Sequence, residues 1–216
     1  MSITQKIKKG AAWTLGRALP IQKNKVVFSS FYGRGASDNP KAIVDALAQR
    51  PEKLDIVWLA KDPAHAGVPD NVRVVPYDTP AAIRELSTAR VWVDNCRKGA
   101  HVKKDGQYYM QTWHGFALKR IERDVADKLN TPENAAYAEY AKRDSAQIDA
   151  IISNSTFMTE IYQKSFWYHG AVLEYGSARN DILVNPPADA KQQVQQALHL
   201  PNDCQIIMYA PTFRAD

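Results

Sequence analysis

Apolar runs and polar breaks alternate along this chain at the spacing of strands and helices. Short stretches at 25–29, 54–60, 72–75, 91–94, 108–112, 150–153, 172–175 and 205–209 have the length and the β-branched or aromatic bias of strands. Residues 54–60 (LDIVWLA) are apolar almost throughout, as expected of a parallel strand covered on both faces. Helices are predicted between them. One starts at Asn39–Pro40, a cap followed by proline at the first helical position, and runs to about Arg50. Others are predicted over 80–88, 121–129, 132–147 and 156–167, the last capped by Ser155, and over 190–199, where His199 suits the final turn. Phe157, Ile161 and Phe166 form the stripe expected to face the core. Strands alternating with helices predict an α/β fold, a Rossmann-like parallel sheet with helices on both faces.

The first residues follow a different pattern. At 100° per residue Ile3, Ile7, Ala11, Leu15, Ala18 and Leu19 share one stripe, with Lys6, Lys9 and Arg17 opposite and Trp13 among the basic residues. Residues 1–25 hold six cations and no acid, so a net charge of +5 for the whole chain leaves −1 for everything after them. A basic arm on a near-neutral body argues against a nucleic-acid-binding face spread over the fold. Two readings stand for this amphipathic helix, residues 1–24: docking on an anionic membrane surface, or packing on its own domain with solvated lysines. No run approaches the roughly 20 apolar residues of a membrane span, and 10–15 is too short and too interrupted for a secretory signal. Cys96 and Cys204 form no disulfide framework or metal spacing, which points to a reducing cytoplasm. Pro186–Pro187 marks a linker, separating residues 25–187 from 188–216.

The chemistry gathers after the strand at 108–112, where the chain reads YYMQTWHGFALKR to Arg120. Ligands of open α/β sheets collect outside the carboxyl ends of strands. His114 stands there and titrates near neutral pH in its unperturbed state. Trp113 precedes it, Gly115 lets the backbone turn or approach a ligand, and Lys119 and Arg120 supply charge for a phosphorylated substrate. Asn95 ends the strand at 91–94. Gly33 and Gly35 form a glycine loop with Arg34 and Ser37, without the third glycine of a dinucleotide fingerprint or the Gly-Lys-Ser/Thr of a P-loop. The polar turn 176–181 carries Arg179 and Asp181, either a local ion pair or part of a substrate site. Residues 97–104, with His101, read as a solvated basic connection, and His65 as a solvated loop residue. No metal ligand set or cofactor motif is read from the sequence.

The segment QTWHGFALKR (Gln111–Arg120) resembles the signature of the CDP-glycerol glycerophosphotransferase family, the teichoic acid polymerases and primases of Gram-positive bacteria. FSSFYGRGASDNPKAI, RVWVDNCRK, the stretch 153–183 and MYAPTFRAD resemble four more of its segments, in the family's order. The resemblance implies a GT-B arrangement, of which this chain is the N-terminal, acceptor-side half. It implies transfer of glycerol phosphate, or a related polyol phosphate, from CDP-glycerol or another CDP-alcohol to a lipid-linked acceptor, with release of CMP. His114 would be the general base. Arg34, Ser37, Asn95, Trp113, Gly115, Lys119, Arg120, Arg179 and Asp181 would contact substrate. The protein would sit in the cytoplasm, peripheral to the membrane, with the donor held mainly by a second half. Phe116–Ala117 stands where the family often has Thr-Pro, and Ser177–Ala178 where it often has Tyr-Pro. Two other readings are a non-catalytic membrane- and acceptor-binding fragment and a GT-B sugar-nucleotide epimerase.

Overall fold

The computed structural model describes residues 3–98, 101–129, 131–201 and 203–210, with side chains of the first helix from Lys9 onward. The order of elements is α1 (Ile3–Ala18), β1 (Gln22–Ser29), α2 (Asp38–Ala48), β2 (Asp55–Ala60), β3 (Arg73–Pro76), α3 (Pro80–Thr88), β4 (Ala89–Asp94), β5 (Tyr108–Gln111), α4 (Arg123–Leu129), α5 (Pro132–Ser145), β6 (Ala150–Ile152), α6 (Thr156–Ser165), β7 (Ala171–Leu173), α7 (Asp181–Val184) and α8 (Ala190–Ala197). The seven strands form one sheet in the order β3-β2-β1-β4-β5-β6-β7, every pair parallel.

Alternate residues of each strand feed two cores. Val27, Val57, Leu59, Trp92 and Tyr109 pack on one face with Leu86 of α3 and with Met158 and Tyr162 of α6. Phe28, Ile56, Trp58 and Val93 pack on the other with Val44 of α2. Helices therefore cover both faces, as the pattern predicts. In α6 the buried positions are Met158 and Tyr162, followed by Phe166. Phe157 is instead 49% exposed and stacks on Phe116. The expected stripe was thus one residue out of phase at its first position.

Three helix starts follow from their caps. Thr79, Thr131 and Ser155 accept from the backbone N–H groups of Ala82, Asn134 and Met158, with proline next in the first two cases. Helix α2 differs, since its cap is Ser37 and Asn39 is buried, with its side chain turned to other work.

Helix α1 packs on the body through its mixed face. Trp13 meets His101 at a tilt with ring centroids 5.0 Å apart, and Lys104 Nζ donates to the carbonyls of Gly16 and Leu19 at the helix end. A Cβ on Gly16 would meet Ser87 Oγ at 2.3 Å, so the helix approaches α3 as closely as glycine permits. Ala11, Leu15 and Ala18, from the expected apolar stripe, face outward, Leu15 being 70% exposed. The side chains of Ile3, Lys6 and Ile7 lie outside the described residues.

Residues 181–216 make a second compact unit, holding α7 and α8. The strand expected at 205–209 is absent among the described residues. A strand needs a neighbour to satisfy its backbone, and nothing pairs with this one.

Candidate functional site

The sheet order reverses between β1 and β4, the place where open α/β sheets leave a crevice for ligands. Register puts Ser29, Asp94 and Gln111 side by side at the carboxyl edge of β1, β4 and β5. The loops that follow bring together Phe31, Asn95 and His114.

His114 is placed by the strand that precedes it. Gln111 is buried, its Nε2 donates to the Cys96 carbonyl and Tyr109 Oη, and its Oε1 accepts the Trp113 N–H at 2.9 Å. That contact holds Trp113 in a left-handed conformation, φ 51°, which makes the turn. Gly115, expected to make it, has no left-handed φ, and a Cβ there would meet nothing within 4 Å. The imidazole stacks on the Trp113 indole at 4.4 Å and lies 5.6 Å from the Phe31 ring. Its Nδ1 is 2.6 Å from the Asn95 carbonyl oxygen. A carbonyl only accepts, so Nδ1 carries the proton and the Nε2 lone pair of the neutral ring is left for a substrate.

The other loops are tied to this one. Asn95 is fully buried, its Oδ1 accepting the Phe31 N–H and its Nδ2 donating to Asp38. Its side chain, expected to face substrate, is here turned into the fold and ties the loops together. Arg179 pairs with Asp38 rather than with Asp181, and its Nη1 also donates to the His114 carbonyl at 3.2 Å. Asn39 accepts the Arg179 N–H and donates to the Thr112 carbonyl. Arg179 is 38% exposed, so it joins three loops and keeps an edge toward solvent.

A cavity of about 320 Å³ opens beside His114, lined by Phe31, Tyr32, Arg34, Cys96, Arg97, Trp113, Glu122 and Tyr137. A second of about 290 Å³ shares Trp113, Glu122 and Tyr137 with it and continues along α4 past Arg120, Ile121, Val125 and Ala126. Phe31, Tyr32, Trp113 and Glu122 around the first cavity all have left-handed backbones, with φ of 43°, 57°, 51° and 56°. Such residues each cost about 1–3 kcal/mol and gather at functional sites. Of the sequence-predicted residues, Arg34, Trp113 and His114 line the first cavity and Arg120 the second. Ser37 and Lys119 are exposed beyond them, and Asp181 lies in the second unit.

The basic segment after β4 corrects the expectation of a solvated turn. Arg97 and Lys98 are 3% and 4% exposed. Lys98 pairs with Asp94 at 2.7 Å, and Arg97 with Glu122 and Asp144. Burial pushes the Asp144 carboxyl up to about 6, with the Arg97 charge opposing the shift. His101 is half-buried against Trp13, with its Nδ1 out of reach of water, and desolvation lowers its imidazole to about 3. Burial, reinforced by Asp94, pushes the Cys96 thiol up to about 12, so Cys96 is no nucleophile at neutral pH. Among the described residues no group of three or more histidine, cysteine or acidic side chains is arranged to hold a metal ion. The rim therefore offers an imidazole and arginine side chains beside a largely aromatic cavity, a set suited to accepting a proton beside a phosphorylated group.

The sequence profile of the family described as CDP-Glycerol:Poly(glycerophosphate) glycerophosphotransferase matches residues 12–216. The chain is 33% identical over 201 residues to a teichoic acid poly(glycerol phosphate) polymerase of Staphylococcus epidermidis, covering 91% of this chain and 28% of that protein. It is 32% identical over 202 residues to a teichoic acid glycerol-phosphate transferase of Staphylococcus aureus, covering 90% of this chain and 51% of that one. A solved structure of the wall teichoic acid polymerase TagF matches with a TM-score of 0.86 at 30% identity, over 99% of this chain and 57% of that chain. A second TagF structure, soaked with CDPG, matches with a TM-score of 0.85 at 30% identity and the same coverage. The chain thus spans about half or less of the length of the curated relatives described.

Proposed function

The chain belongs to the CDP-glycerol:poly(glycerophosphate) glycerophosphotransferase family, and from that premise we propose that it is the acceptor-side half of a teichoic acid glycerol phosphate transferase. In this reading His114 takes the proton from the attacking hydroxyl of a lipid-linked polyol-phosphate acceptor. That hydroxyl attacks the β-phosphorus of CDP-glycerol, a new phosphodiester forms, and CMP leaves. The observation that carries the reading is the His114 geometry, with Nδ1 held on the Asn95 carbonyl and Nε2 left free beside a cavity that also holds Arg34. Arg34 and Arg120 are placed to offset charge on the acceptor, while Arg179 holds the loops together. Phosphoryl transfer rests mainly on such positioning and electrostatics. Residues 25–187 are the acceptor domain in this reading. The donor is held mainly by a nucleotide-binding half that begins within 188–216 and corresponds to length present in the relatives. Incubating the protein, joined to such a half, with CDP-glycerol and a lipid-linked acceptor should extend the acceptor by glycerol phosphate and release CMP in equal amount. Conversion of a sugar nucleotide with no such transfer would overturn the assignment.

The site of action is proposed to be the inner face of the membrane. No helix among the described residues is long and apolar enough to cross a bilayer. Helix α1, however, is pinned to the body through Trp13 and turns Ala11, Leu15 and Ala18 outward beside Arg17. That leaves a short apolar stripe beside Arg17 available to anionic lipid, where each cation contributes about 1 kcal/mol. The intact chain should sediment with vesicles containing phosphatidylglycerol, less so as salt is raised, and a chain starting at Asn24 should not. Equal sedimentation of the two would remove the arm from this account.

A further inference from the structure

The densest charge near the His114 loop lies under it rather than on its rim. Arg97 Nε and Nη2 both donate to Glu122 Oε2, at 3.1 and 2.7 Å. Nη1 donates to the Ala141 carbonyl, Ser145 Oγ and Asp144 Oδ2, at 3.0, 3.0 and 3.2 Å. With its edge so occupied, the guanidinium lies over two rings, its carbon 5.8 Å from the centroid of Trp113 and 5.4 Å from that of Phe166. Those rings also meet each other edge to face at 4.7 Å. Trp113 then stacks on His114. The contacts run without a gap from a buried guanidinium through an indole to the imidazole.

A simple tie between α5 and the sheet would not need this charge. Buried ion clusters are poor stabilisers beside apolar groups of equal volume, but a planar fork holding two carboxylates and two rings has few orientations open to it. What the cluster supplies is orientation. The left-handed backbones at Trp113 and Glu122 fit the same purpose, because two of the side chains that Arg97 touches come from strained positions.

We propose that Arg97 is a positioning residue for His114, acting through Trp113 to fix the plane of the imidazole and keep its Nδ1 on the Asn95 carbonyl. Its catalytic consequence rests on the general-base reading of His114, whereas the orientation itself does not. Arg97→Lys keeps a cation for Glu122 and Asp144 but loses the flat fork that spans two rings.

The direct readout is the Nδ1–H proton of His114 in histidine-labelled chain, identified by its loss in His114→Gln. In the wild-type chain this proton, facing the Asn95 carbonyl, is expected to give a resolved signal. Arg97→Lys should broaden it beyond detection through exchange with water, while circular dichroism stays that of the wild type. Should that variant not fold, Trp113→Phe, which keeps an apolar ring at the position, must lose the signal in the same way. A purely structural Arg97 predicts a lowered melting temperature with the signal intact, and that result in either folded variant overturns the proposal. In the transfer assay Arg97→Lys should lower kcat about 10- to 100-fold with KM for CDP-glycerol unchanged, as misplacement of a reacting group does. Loss of the proton signal with normal turnover would leave Arg97 orienting His114 and count against His114 as the base.

Discussion

Lys98→Met is expected to destabilise the fold by about 3–5 kcal/mol, read as a lowered urea midpoint at neutral pH. Lys98 Nζ sits 2.7 Å from Asp94 Oδ2 and 3.0 Å from Ser29 Oγ, and both charged side chains are 2% exposed. Removing the cation leaves a carboxylate at the carboxyl edge of β4 with hydrogen bonds but no counter-charge. Asp94 Oδ1 also accepts the Cys96 N–H at 2.8 Å, so the turn that carries Asn95 depends on the same side chain. Asp94→Asn in the Lys98→Met background should therefore recover more than half of the loss. An amide needs no counter-charge and its oxygen still accepts from Cys96. A loss below about 1 kcal/mol in the single variant, or no recovery in the double, would mean the pair is solvated and the turn is held in another way.

The sheet was legible because its strands are short, apolar and regularly spaced, and because two-sided burial leaves a run such as 54–60 few alternatives. The Ser155 cap was legible because serine before a helix has a local purpose, while the cap expected at Asn39 falls to Ser37. His114 was legible for the same reason: its strand, turn and basic neighbours are contiguous. The cluster around Arg97 and Lys98 was not. Their local neighbourhood of Lys103, Lys104 and His101 reads as a solvated basic turn. The acids that bury Arg97 are Glu122 and Asp144, 25 and 47 residues further along. Only the topology brings them together, and no short pattern announces it. Asn95 and Arg179 were found as polar residues after strands, yet what they face depended on Asp38, which lies 57 and 141 residues away from them. Trp13 misled in the opposite sense. It lay off the apolar stripe of its helix, and the structure uses it as the anchor. The strand expected at 205–209 shows the limit of composition, since an apolar run becomes a strand only where a neighbouring backbone is present to pair with it.

The two cavities also change how the site is divided. Sequence alone placed the substrate contacts mostly on basic and polar positions along the chain, with Trp113 as the one aromatic among them. The structure places Tyr32 and Tyr137 with Arg34 and His114 around the same space, and gives Glu122 to Arg97 and to the Tyr137 hydroxyl, 2.6 Å away. The cavity wall is therefore aromatic and mostly neutral, with charge held at its base and rim. That arrangement suits an acceptor whose hydroxyl must reach His114 with its phosphate kept to one side.

The central claim is that His114 removes a proton from the acceptor hydroxyl, and the measurement closest to it is turnover of His114→Ala in the glycerol phosphate transfer assay. General-base removal costs about 10²–10⁴ in rate. The account predicts a kcat at least ~100-fold below wild type, unchanged KM for CDP-glycerol, and an unchanged melting temperature, with His114→Gln similarly slow because it keeps a hydrogen bond but no basic nitrogen. A folded alanine variant with near-normal kcat would contradict it, leaving the imidazole as a packing partner of Trp113 and Phe31 and the proton acceptor elsewhere.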